Sequence, residues 1–596
     1  MTGGYPVRCE ETVWITLSDG CRLSARMWFP EGAGPVPAIL EYLPYRRRDR
    51  HRGDDSFTHP AMAASGYVCV RVDMRGSGDS DGLMRDEYTP EEWRDAVEVI
   101  AWIAGQPFCN GKVGMMGLSW GGFNALQVAA LAPPELFAIV TTCASDDRYG
   151  DDMHYMGGCL LNDNLQYGST LFTWLGTPPD PEIVGERWLK MWQDRLAAVE
   201  PPALRWMRHA TRDDYWKSGS VCEDYQRIKV PVLAVGGWAD GYTNAVMRLL
   251  VGLSAPRKGL IGPWAHAYPH MATPGPAIDF VAILVRWWDH WLKGRDTGVM
   301  GEPMLTCWLQ ESEEPRPSYT MRKGCWIAVD RWPLPAEVTL ALHAQGAARA
   351  LSPELAQVTM VAPARLASAP TTGTASGEWC PYGWGPDMPL DQRGDDAQSC
   401  IYDSAPLEQP IAFLGSVKVR LTLGTATSEG IVALRLEDVS PDGVSRRITY
   451  GLHNTALNDA MSGPRVGHPD GVYTTTVKLK DTGYEVPAGH RIRLALSTAY
   501  WPLAVGVPFQ SEITVHGLSI ALPLLPADTG KRPTAFAVAQ VAPYPEAHVL
   551  VPPARGRLTT TDDLQRAETR VEVVRNLGAV KLDDGNSPGR RFRLSA

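Results

Sequence analysis

Ser119 lies in Gly117-Leu118-Ser119-Trp120-Gly121, a G-x-S-x-G pentapeptide. A glycine-rich chain of this length yields about a few tenths of such a match by chance, so the motif needs its context. That context is an apolar run, KVGMMG, before it and a helical pattern, GFNALQVAALA, after it. A serine on a sharp strand-to-helix turn is tipped out above a sheet, and small flanking residues let strand and helix approach. A surface serine in an ordinary tight turn is the bland alternative.

A serine hydroxyl is a weak nucleophile at neutral pH. It needs an imidazole to take its proton and a carboxylate to orient that imidazole. On this turn the expected chain order is serine, acid, histidine, with both partners just past strand ends. Asp240 follows VPVLAVGGW and His266 follows KGLIGPW. The 26 residues between them (266 − 240) accommodate one helix, YTNAVMRLLVGL, and one strand. Asp146 and Asp147 are the rival acids, and His270 is the rival base. A helix-capping aspartate and a loop histidine are the plainer readings of the pair.

The tetrahedral oxyanion requires two donors. The Trp120 backbone N–H is one, because the residue after the nucleophile opens the helix. The other has to come from the loop after AILEYLPY, which lacks a glycine run. Tyr45 can supply a hydroxyl there, or it can simply pack in the core. Tryptophans accompany the three candidates: Trp120, Trp238 and Trp264. With Trp174 and Tyr155 they are expected to line an aromatic substrate pocket, to which Trp188 and Trp192 can add. Packing beneath the loops is the alternative for at least one of them.

The elements that must hold these residues read as α/β. VWITL and CRLSARMWF flank a Ser18-Asp19-Gly20 turn and predict a hairpin. VPAILEYLPY, GYVCVRVDMRG, KVGMMGL and LFAIVTTCAS are short apolar runs typical of buried parallel strands. TPEEWRDAVEVIAWIAGQ is a helix that starts at Thr89-Pro90. Residues 146–225 carry helical patterns with no strand between them, and predict a cap inserted into an α/β domain made of residues 1–145 and 226–300. DFVAILVRWWDHWLKG closes that domain. Residues 301–596 alternate with period two, as in VKVRLTL, VALRLEDV and RIRLALS, and predict an all-β sandwich or jelly roll. Residues 341–376, rich in Ala, Pro and Thr, read as a long connection.

With 596 residues, 44% hydrophobic and 21% charged, the chain has the composition of a multidomain globular protein. Its net charge of −10 argues against nucleic acid and anionic membranes as partners. No stretch of 18 apolar residues and no basic-then-apolar leader occurs, so neither a membrane span nor a secretory signal is expected. The 11 scattered cysteines form no CxxC pair. They point to buried hydrophobes in a cytoplasmic protein, not to disulfides or zinc. Gly105 to Lys112 has the wrong spacing for a phosphate loop, and Gly76-Ser77-Gly78 lacks the third glycine of a dinucleotide fingerprint. Asp73 and Arg75 in that turn read as structural. No cofactor and no metal are expected.

LPYRRRD, DMRGSGDSDG, GLSWGG, DDYW (Asp213 to Trp216), VPVLAVGGWADGY and IGPWAH together resemble the cocaine esterase and Xaa-Pro dipeptidyl-peptidase (S15-type, CocE/NonD) hydrolases. LEDVSPDGVSRRITYG and GHRIRLALS followed by YWP extend the resemblance over almost the whole chain. It implies an α/β-hydrolase domain, a helical cap before the acid strand and a galactose-binding-like jelly roll. It also implies that the Tyr45 hydroxyl serves the oxyanion hole. Two branches of the family fit less well. The chain begins too close to its first strand for the extra N-terminal domain of the dipeptidyl peptidases. No acid adjoins the nucleophile, as the ammonium-gripping carboxylates of α-amino acid ester hydrolases would require. Asp151, Asp152 and Asp163 in the cap can still form such a cluster.

The resulting expectation is a serine hydrolase of small-molecule acyl esters, working through a Ser119 acyl-enzyme. Amide or dipeptide cleavage by the same residues is the alternative. A ligand-binding protein with a vestigial triad is the alternative of another class. The resemblance also suggests a homodimer.

Overall fold

A computed structural model describes residues 4–49, 52–334, 339–345, 349–353, 363–425, 429–466, 471–506, 512–526, 529, 536–539, 547–552, 554–566, 568–576 and 579–582. The N-terminal half is an α/β sheet. β1 (Val7–Thr16) and β2 (Arg22–Pro30) form the expected antiparallel hairpin. Next come β3 (Val36–Leu43), α1 (Arg52–Ala64), β4 (Val68–Asp73), α2 (Pro90–Ala104), β5 (Cys109–Leu118), α3 (Trp120–Ala129) and β6 (Leu136–Thr142). β3 pairs in parallel with both β4 and β5, and β5 pairs in parallel with β6. All six residues of β4 are buried, as are five of seven in the run Val113–Ser119, which is why these strands read as continuous apolar runs.

α2 shows how local sequence sets an element. Thr89 caps it, Pro90 opens it, and Glu92 returns a bond to the Thr89 N–H, completing a capping box.

The cap follows. It contains β7 (Tyr155–Met156), β8 (Cys159–Leu160), α4 (Asp163–Leu175), α5 (Pro181–Val184), α6 (Trp188–Ala198), α7 (Pro202–Arg208) and α8 (Asp214–Lys217). The β7–β8 ribbon departs from the all-helical expectation. It turns at Gly157 and Gly158, both at positive φ (55° and 77°), and two-residue strands are too short to show a period. β9 (Val232–Gly237), α9 (Thr243–Gly252), β10 (Arg257–Gly262) and α10 (Phe280–Trp291) return to the α/β layer, with β9 parallel to both β6 and β10.

Among the described residues the C-terminal half is β apart from short helical turns such as Arg393–Asp396. Its first strand, β11 (Leu305–Glu311), adds in parallel to β10. β11 also pairs with β12 (Gly324–Val329) and with the strand Thr482–Val486. The α/β sheet therefore continues into the C-terminal half. A second sheet of ten strands holds the cluster of Val419, Leu421, Leu423, Leu434, Leu494 and Ile520. The segment expected to be a long connection contributes strands instead: Thr339–Gln345 and Ala364–Leu366 both pair with Ile513–Pro523. Ala-rich composition hid them, since their burial comes from partners far along the chain. Among the described residues, no helix is long and apolar enough to cross a membrane.

Candidate active site

Ser119 occupies the turn between β5 and α3, at φ 58° and ψ −123°. Such a left-handed backbone costs roughly 1–3 kcal/mol for a residue with a side chain, and persists only where its surroundings impose it. Those surroundings are visible. The Ser119 N–H donates to the Thr142 carbonyl at 2.9 Å, and the Ser119 carbonyl accepts from Phe123 N–H at 3.0 Å. Gly117 and Gly121 are in backbone contact, and a Cβ on Gly117 would collide with the Gly121 backbone. The elbow depends on that glycine pair.

Asp240 and His266 come together past the ends of β9 and β10. The His266 Nδ1 and the Asp240 Oδ1 are 2.8 Å apart. Asp240 is fully buried. Burial alone would raise its carboxyl, but the neighbouring His266 and then the Lys480 ammonium outweigh it and hold the group below the usual range. The Thr243 hydroxyl ties the turn through the Asp240 carbonyl at 2.9 Å. The Cys380 thiol donates to Asp240 Oδ1 at 3.7 Å. A second thiol, Cys143, lies beside Asp240 and His266, with the three sets of donor atoms within 4.8 Å of one another. Burial pushes both thiols well above their ordinary value, so they act here as S–H donors. A buried Glu41, Asp55 and His59 group is a further set of metal-ligand type. The Arg71 guanidinium pairs with Asp55 at 3.3 Å and supplies that group's counter-charge.

The rivals have other partners. Asp146 takes two bonds from Arg248 Nε, at 2.9 and 3.0 Å, and one from the Tyr225 hydroxyl. Asp147 Oδ1 accepts the Tyr149 and Gly150 N–H groups, both at 3.1 Å. His270 is buried against Phe57, Tyr268 and Phe280. In the DMRGSGDSDG turn, Asp73 accepts the Arg47 N–H at 2.7 Å and Arg75 pairs with Asp95 at 2.7 Å, so both are structural.

Tyr45 is buried, and its hydroxyl interacts with the Ser119 side chain and the Trp120 backbone. It is also 3.2 Å from the Tyr167 hydroxyl. Burial raises the phenol, which stays a protonated donor. The ring meets Trp174 edge-on at 5.0 Å, placing a cap aromatic beside the Ser119 turn.

Of the other aromatics expected to line a pocket, Trp238 lines a cavity with Ala239, Trp379 and Tyr450. Trp120 is fully buried and its indole N–H donates to Glu92 Oε1 at 2.6 Å. Trp264 is buried and donates to the Pro276 carbonyl at 2.9 Å. Trp238 donates to the Trp308 carbonyl at 2.5 Å. Tyr155 stacks on Tyr149 and meets Trp216 edge-on within a buried cluster. Trp264 and Tyr155 are both buried. Trp188 and Trp192 stack on each other in α6 at 6.1 Å.

Of the cap carboxylates, Asp151 pairs with Arg248 at 3.2 Å. Asp152 is buried and pushed up to about 7, chiefly by that burial. Asp163 opens α4. Sequence reasoning missed Cys143, Cys380, Glu92 and Lys480. Glu92 alone had a signal, as the third helical residue after Thr89.

Residues 19–268 match the family model described as X-Pro dipeptidyl-peptidase (S15 family). Residues 297–539 match that of the X-Pro dipeptidyl-peptidase C-terminal non-catalytic domain. A Mycobacterium bovis protein provisionally named a serine esterase is 27% identical over 578 residues, covering 82% of this chain and 90% of its own. Cocaine esterase from Rhodococcus sp. is 25% identical over 544 residues, covering 84% and 92%. Among solved structures, an α-amino acid ester hydrolase superposes with a TM-score of 0.69 at 18% identity, covering 87% of this chain and 97% of that one. The chain belongs to the S15 family of X-Pro dipeptidyl-peptidase-like serine hydrolases, in which cocaine esterase is one of its relatives.

Proposed function

We propose that this hydrolase cleaves small-molecule carboxylic esters through an acyl-enzyme on Ser119. The observation that carries the reading is the buried His266–Asp240 bond of 2.8 Å, combined with a strained Ser119 on the strand-to-helix turn. In this mechanism Ser119 Oγ attacks the acyl carbonyl while His266 Nε2 takes its proton. Asp240 fixes the imidazole tautomer and balances the imidazolium. The Tyr45 hydroxyl and the Trp120 N–H donate to the oxyanion. As the intermediate collapses, His266 returns the proton to the departing alcohol. Water, deprotonated by His266, then attacks the acyl-enzyme and releases the acid and Ser119.

Likeness to cocaine esterase and to a second esterase-named relative supports esters over amides. A fluorophosphonate probe tests the nucleophile: wild type labels, and Ser119→Ala does not. Equal labelling of both proteins would remove Ser119 from the mechanism. A p-nitrophenyl ester series beside Gly-Pro anilides tests the substrate class, and faster turnover of the anilides would replace the ester reading with a peptidase one.

A further inference from the structure

The loops carrying Asp240 and His266 are walled by the C-terminal half. The Trp379 ring lies so close to Gly241 that a Cβ there would have no room. The Cys380 thiol donates to Asp240 Oδ1 at 3.7 Å. The Pro381 carbonyl accepts the His266 N–H at 2.8 Å. Lys480, between the strands Val472–Lys478 and Thr482–Val486, reaches the same turn. Its Nζ donates to the carbonyls of Asp240 at 3.0 Å and Gly241 at 2.7 Å. It is only 7% exposed, and its head lies over the rings of Trp379 and Tyr450. Among the described residues no carboxylate forms an ion pair with it; its bonds go to two carbonyls.

Burying an ammonium is expensive unless its protons are satisfied, and an apolar side chain would fill this space without that cost. Fold stability accounts for a donor to the two carbonyls, which a neutral group could also supply, and does not by itself call for a cation. Its location does. The two carbonyls belong to the turn that carries the Asp240 carboxylate, and the ammonium's charge helps to hold that carboxylate ionised. We infer that Lys480 is a positioning residue for the Asp240–His266 pair, supplied by the half of the chain whose family model is described as non-catalytic. The inference rests on the proposed roles of Ser119, Asp240 and His266. Displacing an orienting group by about an ångström can cost 10²-fold in rate without weakening binding.

The test uses the full-length chain carrying Lys480→Met, which removes charge and both bonds, or Lys480→Gln, which keeps a neutral donor. Turnover of a p-nitrophenyl ester is normalised to the fraction of sites that react to completion with fluorophosphonate, so that misfolded protein is not counted. Lys480→Met is expected to lower kcat per labelled site by about 30- to 100-fold with KM within about threefold, and Lys480→Gln to regain part of the loss. In an Asp240→Asn background the further loss should shrink to under about threefold, because the two act as a unit. A folded Lys480→Met with wild-type kcat per site would overturn the inference, as would a loss fully retained in the Asp240→Asn background. Should Lys480→Met not fold, Lys480→Gln carries both comparisons by the same criteria. Failure of the underlying triad reading is separate: it would show as turnover that survives Ser119→Ala.

Discussion

Tyr45→Phe isolates one hydroxyl. The Phe ring keeps the edge contacts with Trp174 at 5.0 Å and Trp120 at 6.3 Å, so packing is preserved. What leaves is a donor that interacts with the Ser119 side chain and the Trp120 backbone. Under the proposed mechanism two donors serve the oxyanion, and the Trp120 N–H remains in the variant. Losing one of two such donors costs about 10²–10³ in kcat, or roughly 2.7–4 kcal/mol of transition-state stabilisation. KM should move little, because the bond strengthens only as the carbonyl oxygen becomes charged. The Tyr167 hydroxyl, 3.2 Å from that of Tyr45, provides the control. Tyr167→Phe removes a neighbouring hydroxyl of the same kind without removing the donor, and should change kcat by less than about tenfold. Steady-state hydrolysis of a p-nitrophenyl ester reads both variants, with a thermal melt to confirm folding. A folded Tyr45→Phe whose kcat stays within about threefold of wild type would refute the reasoning, and the second donor would then have to be sought elsewhere.

Asp240→Asn should lower kcat by about 10⁴-fold while leaving the melting temperature close to wild type, since an amide facing Nδ1 favours the wrong imidazole tautomer; a loss under tenfold in steady-state assays would demote Asp240 to a structural role. Glu92→Gln is a stability prediction. Burial chiefly pushes this carboxyl from 4.5 to about 8. Between those values the folded chain holds a proton that the unfolded chain has lost, so wild-type stability falls as pH rises through the window. Glutamine keeps an acceptor for the Trp120 indole and does not titrate, so its melting temperature relative to wild type should rise from about pH 5.5 to about pH 9. A difference that stays flat across that range would show that Glu92 is ionised throughout.

The hydrolase half was legible because its information is local. Strand ends, turn residues and a capped helix sit within a few positions of one another, and the order Ser119, Asp240, His266 follows from where apolar runs stop. The β7–β8 ribbon and the strands Thr339–Gln345 and Ala364–Leu366 were not legible. The ribbon is too short for a period, and the other two take their burial from partners well over a hundred residues away. The same distance hid Lys480, whose bond to the Asp240 carbonyl spans 240 positions. Nothing in the residues around Lys480 marks a site. A lysine in a strand connection reads as solvated until the fold places it under Trp379.

Tryptophans stand beside the three candidate catalytic residues. Adjacency in sequence suggested that they line the substrate pocket. In the structure Trp120, Trp238 and Trp264 each spend the indole N–H on a fixed acceptor: Glu92, the Trp308 carbonyl and the Pro276 carbonyl, at 2.6, 2.5 and 2.9 Å. Each bond pins a turn that carries one of the candidate catalytic residues. Trp120 ties the first turn of α3 to α2, which fixes the direction of its own backbone N–H. Trp238 ties the Asp240 turn to β11, and Trp264 ties the His266 turn to the segment before α10. A loop tip that must hold a side chain to within half an ångström needs such an anchor, because hydrogen bonds within the loop leave it free to swing as a body. A large aromatic with one donor both fills the volume under the turn and sets its rotation. By the same reasoning, an aromatic that meets substrate belongs to an element free to approach from above. Under the proposed mechanism Trp174 on α4, edge-on to Tyr45, is the aromatic that fits this role, whereas the tryptophans next to Ser119, Asp240 and His266 anchor the turns that carry them.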